Sequence, residues 1–213
     1  MQIAAAIERT KYDFFRWRYE LTIPKKIALA MGMAVMIGLL AQVRLYTPWT
    51  PVPITGQTFA ALLAGVVMGR RWGGISIVMY ALLGIAGVPW FVPETGMAAF
   101  TASGIGHFVG PTGGYIVGMV LAALFLGYMT DKYARARGFM PMLGLMLFSS
   151  LVIIYVPGLV WLAVWLNVVS GTQADLVAVL AMGAVPFIAG DVIKSALAAV
   201  AAKAITPRQD YSR

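Results

Sequence analysis

The chain of 213 residues has no cysteine, a single histidine and few charged residues, and each shortage excludes a class of protein. Without cysteine there are no disulfides, thiolate metal sites, iron–sulfur clusters or cysteine nucleophiles. His107 stands alone, which argues against a zinc or di-metal centre, and we expect no metal and no cofactor. Charged residues make up 11% of the chain, whereas soluble domains have about 25%. So few charges cannot cover a surface in water.

The motifs of several enzyme classes are also missing. There is no GxxxxGK[ST] sequence, so the chain does not bind ATP through a P-loop. The HExxH and GxSxG motifs of metalloproteases and serine hydrolases are absent as well. An intramembrane aspartyl protease needs two acids within its spans, and only Asp191 lies in one. We therefore predict that the protein is not an enzyme and has no catalytic residues.

What the chain has instead is apolar sequence. It is 61% hydrophobic, with a mean hydropathy of +0.84, and its length allows about six spans of ~20 residues. We predict an all-α integral membrane protein with six transmembrane helices, the last beginning at Pro186 because proline is favoured at the first helical position. Residues 161–180 are expected to form a partly helical excursion outside the membrane. The spans are predicted at about 27–43, 54–68, 73–88, 115–128, 140–155 and 186–205.

The positive charges predict the orientation of these spans. The net charge of +8 would suggest nucleic acid in a soluble protein, but basic residues in the loops of a membrane protein set its topology. With a cytoplasmic N-terminus, all but two of the sixteen lysines and arginines fall on the inner side; the exceptions are Arg44 and Lys194. We therefore predict that both termini are cytoplasmic, with the lipid bilayer and not nucleic acid as surroundings.

The chain is divided accordingly into three parts. Residues 1–24 are a cytoplasmic segment, either an interfacial helix or a loose tail, because charged and aromatic residues alternate there without an uninterrupted apolar run. Residues 25–205 form the membrane domain, and residues 206–213 form a cytoplasmic tail.

Two connectors on the outer side are unlike ordinary loops. Residues 46–57 contain three prolines that enforce an extended path. Residues 89–114 form a connector rich in glycine and aromatic residues, and structureless loops of that length are usually lids, binding loops or disordered. Two interpretations remain open, a belt at the bilayer surface and a lid over an outward-facing pocket.

Asp191 and Lys194 give the sharpest functional signal. An ionisable residue within a span costs at least about 2.5–3.5 kcal/mol, so such residues pair, line a cavity or serve a function. Three positions apart, they share one face of a helix. One interpretation is an ion pair that holds the helices together. The other is that Asp191 accepts N–H donors of a ligand while Lys194 binds an anionic group.

Other polar and aromatic residues give weaker signals. Gln57, at the head of the second span, has an amide that both donates and accepts, which suits a polar ligand and equally suits a helix cap. Trp161, Trp165 and Asn167 fit the membrane interface better than a binding site.

Small residues recur every four positions in the first span, at Ala30, Ala34 and Gly38. Such a stripe lets two helices approach closely in a membrane. It is equally consistent with packing inside this protein and with docking onto another membrane protein.

Four stretches of the chain together resemble the biotin-specific substrate-binding (S) component of energy-coupling factor transporters. In order and spacing they cover most of residues 25–205, whereas the first 24 residues lie outside the resemblance. The stretches are TPVPITGQTFAALLAG (50–65), LLGIAGVPWF (82–91), GPTGGYIVG (110–118) and PFIAGDVIK (186–194).

The resemblance implies a six-helix S-component fold in the plasma (inner) membrane of a prokaryote. It implies that the protein binds biotin with high affinity from outside. It further implies partnership with a transmembrane T component and cytoplasmic ATPase (A) components, which drive transport. Ala30 and Ala34 fall where the family docks its T component. The residues predicted to bind the substrate are Asp191, Lys194, Gln57, Tyr115, Trp90 and Gly114.

A self-sufficient secondary carrier for biotin or another small vitamin is the alternative. Such carriers are typically built from inverted repeats, and the chain has no convincing internal repeat. Composition alone does not separate biotin from other small vitamins, so this specificity depends on the resemblance.

Overall fold

The structure is a computed structural model, and it describes residues 2–207. Helices dominate the described residues, joined by one short antiparallel pair of strands, Arg44–Leu45 (β1) with Ile54–Thr55 (β2). The helices are α1 Gln2–Glu20, α2 Ile23–Ala41, α3 Gln57–Ile85, α4 Ile105–Phe108, α5 Gly113–Lys132, α6 Phe139–Phe148, α7 Tyr155–Val164, α8 Leu176–Gly183 and α9 Val185–Ile205. A 3₁₀ turn at Ala134–Arg137 precedes α6, and π-helical segments lie at Ser149–Ile154 and Trp165–Val169.

Five helical stretches among the described residues are long and apolar enough to cross a membrane. Two of them combine several elements. The π-helical segment Ser149–Ile154 joins α6 to α7, the segment Trp165–Val169 continues α7, and a single residue separates α8 from α9. The stretches are Ile23–Ala41, Gln57–Ile85, Gly113–Lys132, Phe139–Val169 and Leu176–Ile205.

The helix α3 consists of two antiparallel halves. Gly69 has φ 78° and ψ −179°, which interrupts the helix, and glycine adopts this backbone without steric cost. Gln57 Nε2 donates to the Tyr80 hydroxyl at 2.8 Å, although an uninterrupted helix would hold these residues about 35 Å apart. A Cβ atom on Gly73 would lie 2.7 Å from the Ala64 carbonyl oxygen. The chain thus reverses at Gly69, between the predicted stretches 54–68 and 73–88.

The stretch α6–α7 corrects the predicted end of the fifth span. The helix does not end at Tyr155 but continues through Pro157 to Val169, so residues 161–169 of the predicted excursion are the end of this helix. The π-helical segment at Ser149–Ile154 comes just before the proline. Such a local change in hydrogen bonding lets a membrane helix accommodate a residue that lacks an N–H group. Proline therefore does not mark the end of this helix.

The last predicted helix begins close to its expected position. The backbone departs from helical geometry at Ala184, with φ −124° and ψ −58°, and α9 starts at Val185 with Pro186 in its first turn. The preceding α8 is capped by Asp175, whose carboxylate accepts from the Ala178 N–H at 2.8 Å.

The stripe of small residues on α2 packs inside the protein. Ala30 and Ala34, which were predicted to dock a T component, are both fully buried, and α2 packs mainly against α3. Close approach of the two helices requires small side chains on this face. A direct contact between these two alanines and a partner does not agree with this structure. The exposed side of α2 carries Ala28 and Gly32 instead.

Candidate functional site

The structure has a cavity of about 390 Å³ at the end of the bundle opposite the Gly69 reversal. That size falls in the range of small-molecule binding sites. Its walls come from the β1–β2 connector, both halves of α3, the long connector before α5, and helices α5, α7 and α9. Polar or charged wall residues include Thr55, Gln57, Tyr80, Glu94, His107, Tyr115, Tyr155, Asp191 and Lys194, and apolar ones include Val52, Phe91, Ile116, Met119, Trp165 and Phe187.

Asp191 and Lys194 form an ion pair in the wall of this cavity. The first turns of α9 bring Asp191 Oδ1 within 2.5 Å of Lys194 Nζ, and their side chains are only 5% and 17% exposed. Lys194 Nζ also donates to the Thr55 carbonyl oxygen at 3.0 Å, which ties α9 to β2. The pair therefore crosslinks the bundle and faces the cavity at once. The two interpretations of the sequence are compatible.

Tyr155 fixes the Asp191 carboxylate from the other side. Its hydroxyl donates to Asp191 Oδ2 at 2.6 Å, and its ring packs edge-on against Tyr115 with centroids 6.5 Å apart. The sequence analysis missed Tyr155, because it treated this residue as the end of a span. A tyrosine in an otherwise apolar stretch, two residues before a proline, was the available signal.

Gln57 is held rigidly at the start of α3. Its Oε1 accepts from the Thr55 hydroxyl at 3.2 Å, and its Nε2 donates to the Tyr80 hydroxyl at 2.8 Å. The bond to Tyr80 connects the two halves of α3 beside the cavity, and the bond from Thr55 ties the start of α3 to β2. Gln57 is thus both a structural link and a wall residue.

Tyr115 lines the cavity, but Gly114 does not. The Tyr115 hydroxyl donates to the Gly183 carbonyl oxygen at 2.7 Å, which links α5 to the end of α8. A Cβ atom on Gly114 would lie 2.3 Å from Trp161 Cβ and 2.4 Å from the Pro157 carbonyl oxygen. Gly114 therefore lets α5 pack against α7, and this corrects its predicted place in the binding site.

Trp90 lies behind the cavity wall, which is a second correction. Its Nε1 donates to the Tyr80 carbonyl oxygen at 2.9 Å, and the two rings lie 5.5 Å apart. The opposite side of the indole packs on Gly38 of α2. Trp90 therefore supports the wall residue Tyr80. Trp165, which was assigned to the membrane interface, lines the cavity itself.

The long connector before α5 forms one side of the cavity, and Gln42 anchors it. Gln42 Nε2 donates to the carbonyl oxygens of Trp90 and Phe91 at 3.1 and 3.2 Å, while its Oε1 accepts from the Phe100 N–H at 3.0 Å. Arg44 donates to the Met97 carbonyl oxygen at 2.8 Å. We call residues 89–112 the lid. The sequence analysis missed Gln42, although an amide just after an apolar helix is a visible signal.

Tyr46 provides a further bond to the lid. Its hydroxyl donates to the carbonyl oxygen of Pro93. Burial raises the pKa of Tyr46 above its ordinary value, so the hydroxyl keeps the proton that this bond requires. The lid is therefore anchored at three points, by Gln42, Arg44 and Tyr46, all on the segment that follows α2.

The site contains no recognisable metal centre. Within residues 2–207, no three histidine, aspartate or glutamate side chains are grouped so that they could hold a metal ion. The charged groups in the wall are instead the ion pair and Glu94. An arrangement of one ion pair, several hydroxyls and apolar walls is suited to binding a small, partly polar molecule.

Comparisons with known proteins agree with this description. The profile of the BioY family matches residues 10–210. The probable biotin transporter BioY of Methanothermobacter thermautotrophicus is 45% identical over 149 residues, which covers 70% of this chain and 90% of that protein. The biotin transporter BioY of Rhizobium etli is 32% identical over 184 residues, 84% of this chain and 89% of that one.

A solved structure has the same fold. The crystal structure at 2.1 Å of the S-component for biotin from an ECF-type ABC transporter superposes with a TM-score of 0.72 at 23% sequence identity, covering 86% of this chain and 93% of that chain. The architecture is therefore that of an S-component.

Proposed function

The chain belongs to the BioY family, and from this premise we propose that it binds biotin in the cavity beneath the lid and delivers it across the membrane. The family and its curated relatives are transporters, so this is a transport protein and not an enzyme. It is a multi-pass membrane protein of a prokaryote, and we place it in the plasma membrane.

The observation that carries the proposal is the cluster of Tyr155, Asp191 and Lys194 in the wall of the cavity. Biotin has a ureido ring with two N–H donors and a carbonyl, an apolar thiophane ring and chain, and an anionic tail. Because Lys194 Nζ lies 2.5 Å from Asp191 Oδ1, both groups contact the same end of a bound ligand. The ureido ring matches them, since its N–H group donates to Asp191 while its adjacent carbonyl accepts from Lys194. The aromatic and apolar wall residues suit the remainder of the molecule.

In this assignment Lys194 binds the ureido carbonyl of biotin, whereas in the alternative it binds the biotin carboxylate. Biotin methyl ester, which lacks the free carboxylate, distinguishes these two binding modes. If Lys194 binds the ureido carbonyl, Lys194→Gln weakens biotin and its methyl ester by the same factor. If Lys194 binds the carboxylate, the wild-type protein favours biotin over the ester, and Lys194→Gln removes that preference.

We further propose six spans, with α3 contributing two, and both termini in the cytoplasm. The reversal at Gly69 carries Arg70 and Arg71, and Arg137 donates to the Pro207 carbonyl oxygen at the same end of the bundle. Arg44 belongs to β1 beside the cavity. The concentration of basic residues at the end opposite the cavity supports an outward-facing binding site.

Energised delivery requires partners, because the sequence has no P-loop. We propose a transmembrane T component driven by cytoplasmic ATPases, with the exposed side of α2 around Ala28 and Gly32 as the contact, since Ala30 and Ala34 are buried. No structural observation favours the alternative of a self-sufficient carrier.

The test is titration of the purified protein with biotin, thiamine and riboflavin in separate calorimetry experiments. We expect biotin alone to bind, without nucleotide and with a nanomolar Kd. A Kd of 1 nM corresponds to roughly −12 kcal/mol. Binding of riboflavin or thiamine in place of biotin would overturn the assignment of the substrate.

A further inference from the structure

The N-terminal helix α1 has three distinct faces. One face packs on the protein, with Phe15 fully buried and Arg18 5% exposed. At 100° per residue, a second face carries large apolar side chains that remain exposed. These are Ile3 (79%), Ile7 (51%), Phe14 (43%) and Trp17 (48%).

The third face of α1 is charged. Arg9, Asp13, Arg16 and Glu20 are exposed there, and Arg16 pairs with Glu20 at 2.8 Å. The apolar and charged faces are adjacent, so α1 is amphipathic on the surface that it does not bury against the protein. Such a helix is typical of the boundary between head groups and acyl chains.

Arg18 fixes the height of α1 along the bundle. Its guanidinium donates to the carbonyl oxygens of Val66 and Val67 at 3.2 and 2.7 Å and pairs with Asp131 at 2.9 Å. Asp131 in turn accepts from the backbone N–H of Arg70 at 3.0 Å. These contacts attach α1 to the end of the first half of α3 and to the end of α5. The C-terminal end of α1 is therefore level with the inner ends of the spans.

The short connection to α2 also holds the C-terminal end of α1 at the level of the inner ends of the spans. Only Leu21 and Thr22 separate Glu20 from Ile23, where the first span begins. The helix therefore does not extend away into the cytoplasm from its C-terminal end. The apolar side chains of its last turns, Phe14 and Trp17, therefore lie beside the spans at the level where the bilayer surface must be, and Ile3 and Ile7 continue the same face toward the N-terminus.

We propose that α1 lies in the cytoplasmic leaflet, with Ile3, Ile7, Phe14 and Trp17 among the upper acyl chains, and that it binds anionic lipid head groups. Exposed basic residues lie near it, at Arg9 and Lys25 and at Arg70 and Arg71, where the Arg70 N–H donates to the same Asp131 that pairs with Arg18. Basic residues at this depth attract anionic lipids. The proposal depends on the proposed membrane orientation but not on biotin as the ligand.

The absence of cysteine allows a direct test on the full chain. Single cysteines at Ile7 and Phe14, on the apolar face, and at Arg9 and Asp13, on the charged face, are labelled with a nitroxide. The protein is reconstituted in vesicles of phosphatidylcholine with phosphatidylglycerol. We expect labels at 7 and 14 to be accessible to oxygen and shielded from an aqueous nickel chelate, at a depth of about 5–10 Å. Labels at 9 and 13 should show the opposite pattern.

Two further measurements test the lipid and the anchor. Removing phosphatidylglycerol, or raising the salt concentration, should reduce the contrast in accessibility between positions 7 and 9 at least severalfold. Arg18→Gln should reduce this contrast as well, while biotin binding stays unchanged, because Arg18 lies at the opposite end from the cavity.

Equal exposure of all four labels to the nickel chelate would overturn the proposal. Shielding of positions 7 and 14 from both oxygen and the nickel chelate would also overturn it, since that indicates contact with protein. An unchanged contrast in accessibility without phosphatidylglycerol would refute the binding of anionic lipids.

Discussion

Replacing Asp191 by asparagine should weaken biotin binding by about one to two orders of magnitude. The change keeps the shape of the side chain and an acceptor for Tyr155, but it removes the charge that pairs with Lys194 Nζ at 2.5 Å. Hydrogen bonds to charged groups contribute about 1.5–3 kcal/mol, and each factor of ten in affinity corresponds to about 1.4 kcal/mol. The expected increase in Kd is therefore about 10- to 100-fold.

Stability has to be measured separately, because the same substitution leaves Lys194 without its counter-charge. Breaking a buried pair costs about 3–5 kcal/mol, but Lys194 is partly exposed and still donates to the Thr55 carbonyl oxygen, so the loss should be smaller here. Thermal unfolding without ligand measures this loss, and calorimetry with biotin measures the affinity. Asp191→Asn combined with Lys194→Met should recover stability without recovering affinity.

Asp131→Asn is the matched control. Asp131 also pairs with a cation, the buried Arg18 at 2.9 Å, but it lies at the opposite end of the bundle. We expect this variant to lose some stability and to bind biotin normally. If Asp191→Asn is folded and binds biotin as tightly as the wild-type protein, then the placement of the ligand is refuted.

Three further predictions follow from the contacts around the cavity and on α2. Tyr155→Phe removes one hydrogen bond to the Asp191 carboxylate and should raise the Kd for biotin about tenfold with little change in unfolding temperature; an unchanged Kd by calorimetry would show that this bond does not position the carboxylate. Gln42→Leu releases the lid and should increase the dissociation rate of labelled biotin more than it changes the association rate, whereas Asn167→Leu, a change at an exposed amide outside the cavity wall, should alter neither. Gly32→Leu should leave biotin binding intact, because Gly32 has open space around it, and should reduce uptake in cells that contain the partner proteins. Ala34→Leu should instead lower the unfolding temperature, because Ala34 is fully buried. Normal uptake by the Gly32 variant would show that the exposed face of α2 does not contact the T component.

The positions of the spans followed from hydropathy and from the basic turns, and the reversal at Gly69 lies where two arginines interrupt the apolar sequence. The error in α6–α7 has a physical reason. In a soluble protein Pro157 would be expected to end a helix. Here the π-helical hydrogen bonds of Ser149–Ile154 accommodate a residue that lacks an N–H group, as local π-helical adjustments do in membrane helices. A proline rule derived from soluble helices therefore placed the end of this helix too early.

The ion pair of the site was visible in the sequence because charge within a span is costly, so Asp191 and Lys194 needed no structure to be noticed. The division of roles among aromatic residues was not visible. Trp90, Tyr155 and Trp165 all lie in apolar surroundings, and only the packing of distant segments decides which ring faces the cavity. Trp90 is turned toward Tyr80 and Gly38, contacts that join residues far apart in sequence.

Small residues posed the same difficulty on α2. A spacing of four places Ala30 and Ala34 on one face, but spacing does not tell which neighbour that face contacts. The buried positions of both residues assign the face to packing within the bundle. Ala28 and Gly32 lie two positions before Ala30 and Ala34, on the nearly opposite, exposed side of the helix, and their spacing is equally regular in sequence.

The most direct test of the account is an experimental structure of this protein determined with biotin bound. The account predicts biotin in the cavity beneath residues 89–112, with a ureido N–H within hydrogen-bond distance of the Asp191 carboxylate and the ureido carbonyl beside Lys194 Nζ. Biotin bound elsewhere, or bound in this cavity with its ureido ring away from Asp191 and Lys194, would contradict it.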